Sequence, residues 1–343
     1  MHTSIRTTLI LLACALLAAS AGAADPAYTI HMQPLPGASA DGISIDYILF
    51  DPATKSVWVP AGNTGAVDVV DPATGTVRQI TGFPTSEIGN GEHKRVVGPS
   101  SVATGDGSMY IANRGDFTIC KVNPKTLERG LCRALDSMPD AMAYVAATKE
   151  LWVTAPRDKS IRILDSTTLE QRNKVIFQGN PEGFALDVTR GRIYTNMEDQ
   201  DRTLAIDVKT HKIANTWKPG CGDEGPHGLR VDAKAGHLFV ACSARVLVMD
   251  TQHDGAVLSS IDTGDGVDDI DYDAKTHLLY IGAAKAGTLT VASVDATGKL
   301  TIVATVPTHL GARNPAVTSD GTVFLAHSEL VKLSDLVVAV PKK

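Results

Sequence analysis

Over residues 57–77 the sequence runs Val57-Trp58-Val59-Pro60-Ala61-Gly62-Asn63-Thr64-Gly65-Ala66-Val67-Asp68-Val69-Val70-Asp71-Pro72-Ala73-Thr74-Gly75-Thr76-Val77. Two apolar runs rich in β-branched residues flank a Gly-Asn-Thr-Gly turn. The second run ends at an aspartate that opens a tight turn by accepting hydrogen bonds from the backbone just after it, and a third strand-like run follows. Strand, turn, strand, turn, strand is most of a meander.

The same core recurs along the chain as an aliphatic residue, an aromatic and a strand former. The copies are Met109-Tyr110-Ile111, Leu151-Trp152-Val153, Ile193-Tyr194-Thr195, Leu238-Phe239-Val240, Leu279-Tyr280-Ile281 and Val323-Phe324-Leu325. Starting from Trp58, the aromatics are spaced 52, 42, 42, 45, 41 and 44 residues apart. Aromatics make up only 5% of the chain, so seven of them on one position is a register rather than chance. The Asp-x-x-Thr turn returns at Asn123, Asp165 and Asp207, with weaker copies at Asp250 and Asp295. Units of about forty residues, each a four-stranded antiparallel meander, predict an all-β, seven-bladed β-propeller. Stacked blades bury both faces of their inner strands, which explains apolar residues at consecutive positions. The strand-like Tyr28-Thr29-Ile30-His31-Met32 precedes the first unit, and the last unit is irregular after Glu329. We therefore expect residues 28–32 to supply the outer strand of the last blade.

The strand–Asp-Pro-Ala-Thr-Gly–strand pattern, preceded by Val-Trp-Val-Pro-Ala-Gly-Asn-Thr-Gly, resembles the YVTN-type repeats of bacterial YncE-like propellers. Ile111-Ala112-Asn113 and Phe239-Val240-Ala241-Cys242 are close to that family's strand motif, although no unit reads Tyr-Val-Thr-Asn. The likeness covers nearly the whole mature chain. It implies the fold, while propellers of this kind bind, scaffold or catalyse.

Residues 1–23 read as a signal peptide, with Arg6, an apolar run from Leu9 to Leu17, and small residues Ala21-Gly22-Ala23 before the cleavage point. This leaves residues 24–343 as a single propeller domain. Leu11-Leu12-Ala13-Cys14 loosely resembles a lipoprotein box, with Leu12 a poor fit. No other apolar run has the length of a membrane span. Export to the periplasm or the medium makes the remaining cysteines, Cys120, Cys132, Cys221 and Cys242, candidates for disulfides. Of three possible pairings we expect 120–132, across the hairpin around Asn123–Thr126, and 221–242, between two loops on one face of a blade. The 32 Lys and Arg against 38 Asp and Glu give a net charge of −6 with no basic cluster, which argues against nucleic acid and anionic membranes as partners.

Twelve residues before the aromatic stand Asp46, Asp140, Glu182, His227 and Asp268. Units two and seven have shorter turns, and their nearest equivalents are Ser100 and Asn314. This position starts the innermost strand, so the side chains should form a ring at one mouth of the channel. Like charges held together raise one another's pKa unless water, a cation or a positively charged ligand compensates, and Arg157 and Arg313 are available as internal counter-charges. Three readings stand. The ring is a solvated polar rim; or Asp140, Glu182, His227 and Asp268 hold a divalent cation as cofactor, calcium or magnesium through oxygen, or a transition metal through His227; or two of its members form an acid/base pair.

Other features carry less. The loop Gly82 to Val97 contains Glu92, His93, Lys94 and Arg95; His327-Ser328-Glu329 ends a strand on the ring's face; Met197 to Asp201 is an acidic loop; Gly264 to Asp269 is an acidic turn that completes no EF-hand. There is no nucleophile elbow, zinc signature or dinucleotide fingerprint, and no catalytic residue is assigned. These observations predict an exported binding protein of the cell envelope with a small-molecule or protein partner at the channel mouth. The alternative is a metal-assisted, lactonase-like hydrolase or a lyase using the acidic ring, with a quinone-dependent dehydrogenase third.

Overall fold

A computed structural model describes residues 27–37, 39–91, 94–327 and 331–342. The leader expected at residues 1–23 lies outside the described residues, as do Glu92, His93, Ser328 and Glu329. The repeat folds as its spacing requires. Blade one is built from Leu49–Asp51, Ser56–Ala61, Ala66–Val70 and Val77–Ile80, in that order from the axis outward. Five further four-stranded antiparallel sheets repeat this order, with inner strands at Pro99–Gly105, Met142–Val145, Pro181–Asp187, Pro226–Asp232 and Val267–Asp273. Blade seven takes three strands from Ala312–Val317, Val323–His327 and Asp335–Pro341, and its outer strand is Tyr28–Pro34, with Tyr28 opposite Pro341 and Pro34 opposite Asp335. The ring thus closes through the strand before the first unit, as the sequence suggested.

The seven aromatics explain why the blades stack. Each lies in the second strand of its blade and is at most 2% exposed. Each also points at the following blade. Trp58 packs with Met109 and Ile111 of blade two, Tyr110 with Leu151 and Val153 of blade three, and Phe324 returns to Val57 and Val59 of blade one. The described apolar core divides into seven clusters, one at each blade boundary, with no single central core. Fully burying one such side chain stabilises by about 1.5–3 kcal/mol.

The Asp-x-x-Thr turns form as read. Asp71 Oδ1 accepts from the N–H groups of Ala73 and Thr74, and Asn123, Asp165 and Asp207 do the same one unit at a time. The residue after the threonine has a left-handed backbone, with φ 69° at Gly75 but φ 63° at Leu127 and 56° at Leu169. Of the four strong copies only the first uses the glycine that this conformation favours, as does the weaker copy at Asp295 through Gly298, φ 78°. Both expected disulfides are present, Cys120–Cys132 between paired strands of blade two and Cys221–Cys242 in blade five. They mark a chain that folds in an oxidising compartment. Among the described residues no helix is long and apolar enough to cross a membrane.

One buried charge sits at the closing boundary. Asp68 is fully buried, opposite Val59 on the face that meets blade seven. Gln79 donates to its Oδ1 at 2.8 Å, while Oδ2 has no partner. Burial, only partly offset by Gln79, pushes its carboxyl up to about 6. The folded state therefore holds this proton more tightly than the unfolded chain does. The resulting stability is complete below about pH 4 and lost as pH rises through 6, about 3 kcal/mol in all. Asp68→Asn is expected to remove this loss. Melting temperatures of the two proteins should converge near pH 4 and diverge in favour of the variant by pH 8, and parallel curves would contradict the assignment.

Candidate functional site

The inner strands do not begin smoothly. In blades two, four, five, six and seven the pairing between first and second strands shifts register at or next to the position twelve before the aromatic, or its equivalent. A bulge of this kind turns a side chain that would otherwise follow the pleat. Glu182, His227 and Asp268 lie at three of these shifts and line a cavity of about 750 Å³ at one mouth, together with Asp46 and Asp140. Five of the six residues singled out as ligand-binding thus share one cavity. Asn314, with φ 48°, stands behind the ring. Its amide donates to Asp268 Oδ2 at 3.0 Å and its carbonyl accepts from the Asp269 N–H at 2.8 Å. Ser100 is buried and does not line the cavity.

Arginines compensate the ring. Arg114 Nη2 lies 2.8 Å from Asp46 Oδ2 and also bonds Asp140, whereas Arg313 Nη1 lies 2.7 Å from Asp268 Oδ2 and Nη2 lies 3.9 Å from Asp46 Oδ1. Arg313 serves as the sequence suggested. Arg114 was not foreseen, and Arg157 lines the cavity without pairing to the ring. Burial pulls the pKa of Arg114 down, but Asp140 and Asp46 more than offset it and raise it overall. Burial raises Asp140 against the pull of Arg114. Among the described residues no three His, Cys, Asp or Glu side chains form a set that could hold a metal ion. Asp140, Glu182, His227 and Asp268, named above as cation ligands, share the cavity without forming one.

Glu182 has a different partner. The Tyr47 hydroxyl donates to its Oε1, reaching from blade one across the channel to blade four. Tyr47 also lines a second cavity of about 310 Å³ toward the opposite mouth, so the pair separates the two spaces. Burial, reinforced by Asp140 and Asp268, pushes the Glu182 carboxyl well above the usual range, and burial with Glu182 does the same to the Tyr47 phenol. His227 is pushed down by burial, and its Nε2 lies 3.1 Å from Ser243 Oγ. The mouth therefore combines an acid whose pKa is pushed up with an imidazole whose pKa is pushed down.

A second circle of residues overhangs the first. It comes from the turns between second and third strands and contributes Arg114, Arg157, Glu198, Ser243 and Lys285. Counting four residues forward from the aromatic reaches Arg114, Glu198 and Ser243, a signal available in the sequence. The long loop after blade one folds as a hairpin of Ser86–Ile88 and Arg95–Val97, and Arg95 also faces the cavity.

These features define a disulfide-bonded seven-bladed β-propeller with a charged cavity at one mouth. No family model matches the chain. It is similar to Protein NirF of Pseudomonas aeruginosa, 23% identical over 175 residues that make up 47% of this chain and 43% of that protein. The chain spans less than half the length of this curated relative. Among solved structures, a streptogramin B lyase superposes with a TM-score of 0.71 at 13% identity, covering 92% of this chain and 98% of that one. A hydrazine synthase of Kuenenia stuttgartiensis does so with a TM-score of 0.72 at 12% identity, covering 91% and 99%. At such identities these likenesses establish the fold alone.

Arg114→Leu would leave Asp140 buried without its counter-charge. A loss of about 3–5 kcal/mol at pH 7 is expected, shrinking toward pH 4 as the carboxyl takes up a proton, whereas Arg157→Leu at an exposed, unpaired position should change stability by under about 0.5 kcal/mol. Denaturant melts at both pH values check this.

Proposed function

We propose that this chain is an exported binding protein of the cell envelope, related to the YVTN-type, YncE-like propellers, that takes a small polar ligand in the mouth cavity. One observation carries the reading. Ionisable side chains from equivalent positions of five blades converge on one cavity, and its volume suits a small molecule. Arg114, Arg313, Asn314, Ser243 and Tyr47 hold these side chains in place. A merely solvated rim needs no such fixing. The concave shape favours a small molecule over a protein surface. The leader read at residues 1–23 and the two disulfides support a periplasmic or secreted location.

A lyase or hydrolase is the second reading, favoured by a specific feature. Glu182, whose pKa burial raises, and His227, whose pKa burial lowers, occupy the same cavity beside the Tyr47 hydroxyl. An acid and a base separated in this way are what proton-transfer chemistry uses. Arg114 and Arg313 engage three of the ring carboxylates, so this reading rests on acid/base chemistry rather than on a metal.

The test is a thermal-shift screen of polar metabolites against wild type and Ser243→Trp, which puts an indole into the mouth. A ligand present at a hundred times its Kd stabilises by about 2.7 kcal/mol. That shift is expected to vanish in Ser243→Trp, and an equal shift in both proteins would place the ligand elsewhere. Mass analysis of the bound compound separates the readings. Recovery unchanged supports binding, and conversion lost in Glu182→Gln supports catalysis.

A further inference from the structure

The second circle of mouth residues is charged, and its charges are sorted by position around the ring. Arg95, Arg114 and Arg157 come from blades one to three and their links. Glu198 follows the second strand of blade four, and Glu224 lies in the link to blade five. Arg114 is occupied by Asp46 and Asp140, Lys285 by Asp265 at 3.3 Å, and Arg95 is not free either. Among the described residues Arg157 makes no hydrogen bond or ion pair, and the carboxylates of Glu198 and Glu224 make no ion pair. Arg157 and Glu198 stand on neighbouring blades and face the same cavity, yet they do not bridge it. Opposite charges that share a cavity without meeting are arranged for a molecule that joins them.

Resting on the mouth-site reading above, we infer that the ligand is a zwitterion, its carboxylate received by Arg157 on the blade-three side and its ammonium by Glu198 and Glu224 on the blade-four and blade-five side. The chemistry suits both ends. A guanidinium offers paired N–H donors that match the two oxygens of a carboxylate. An ammonium has three donors and no acceptor, so two carboxylates can share it. Glu198 is half-buried, and burial together with Asp140 and Asp268 raises its pKa. An ammonium bound beside it would relieve that crowding of negative charge. A dianion would meet Glu198 and Glu224, and a dication would meet Arg157, so the same arrangement rejects both.

Three probes of equal chain length isolate the charge: ε-aminocaproate, adipate and hexamethylenediamine, each at millimolar concentration, read by thermal shift and by ligand-observed NMR. Binding of ε-aminocaproate alone is expected, weakened at least tenfold in Arg157→Gln and in Glu198→Gln. Arg157→Glu should transfer preference to hexamethylenediamine, and the double change Glu198→Lys, Glu224→Lys to adipate. Circular dichroism verifies that each variant is folded. The inference is overturned if none of the probes binds, if adipate or hexamethylenediamine binds wild type as well as ε-aminocaproate does, or if ε-aminocaproate binds both glutamine variants undiminished. Ser243→Trp separates this failure from that of the broader reading. A singly signed probe bound by wild type and lost in Ser243→Trp leaves the mouth site standing and removes the zwitterion. A zwitterion bound equally by Ser243→Trp removes the mouth site itself.

Discussion

Each blade presses one aromatic side chain forward into the next, and Phe324 of blade seven presses onto blade one. Removing such a side chain from a tight core costs about 3–5 kcal/mol, so the contact is strong; its larger effect is geometric. It fixes the rotation of each second strand, and the inner strand paired with it follows. Ring residues separated by 40 residues or more in sequence thereby come to face a common axis. A sheet that rolled out of this register would carry its carboxylate away from the cavity.

The fold was legible because the aromatic position repeats with little drift in spacing, and a period is a property of sequence alone. The ring positions were legible through the same spacing. Their partners were not. Tyr47 reaches Glu182 across 135 residues, and nothing in either local sequence marks that contact. Arg114 falls in a turn whose equivalents are Glu198 and Ser243, so the position conserves no chemistry from one unit to the next. Counting acids alone predicts a bare negative ring. The structure supplies Arg114 and Arg313 from outside the counted set, and a reading by position could find Arg313 only because it adjoins Asn314. Asn314 lies in phase with the ring, and its left-handed backbone turns the amide group to Asp268 and to the Asp269 backbone, behind the ring.

Charge compensation also shapes the mouth. Asp140 and Arg114 are both largely withdrawn from water, and each lowers the cost of the other's charge there. Their pairing lets the inner wall of the cavity be polar and rigid together. In the outer circle, more exposed, Arg157 and the carboxylates of Glu198 and Glu224 stand apart from any ion pair among the described residues, and the hairpin carrying Arg95 extends that circle beyond the blades. The cavity thus grades from fixed, neutralised pairs at depth to separate charges at the rim.

The strand Tyr28–Pro34 pairs with a strand that ends at Pro341, near the other end of the chain. Each of the other six four-stranded sheets is built from four consecutive strands, so its pairings are local, whereas this one joins strands separated by all of blades one to six. Pairing distant segments carries a loop-closure entropy that local hairpins largely avoid. The entropic cost of the ring is thereby concentrated in blade seven, where six locally formed sheets are tied into one closed circle.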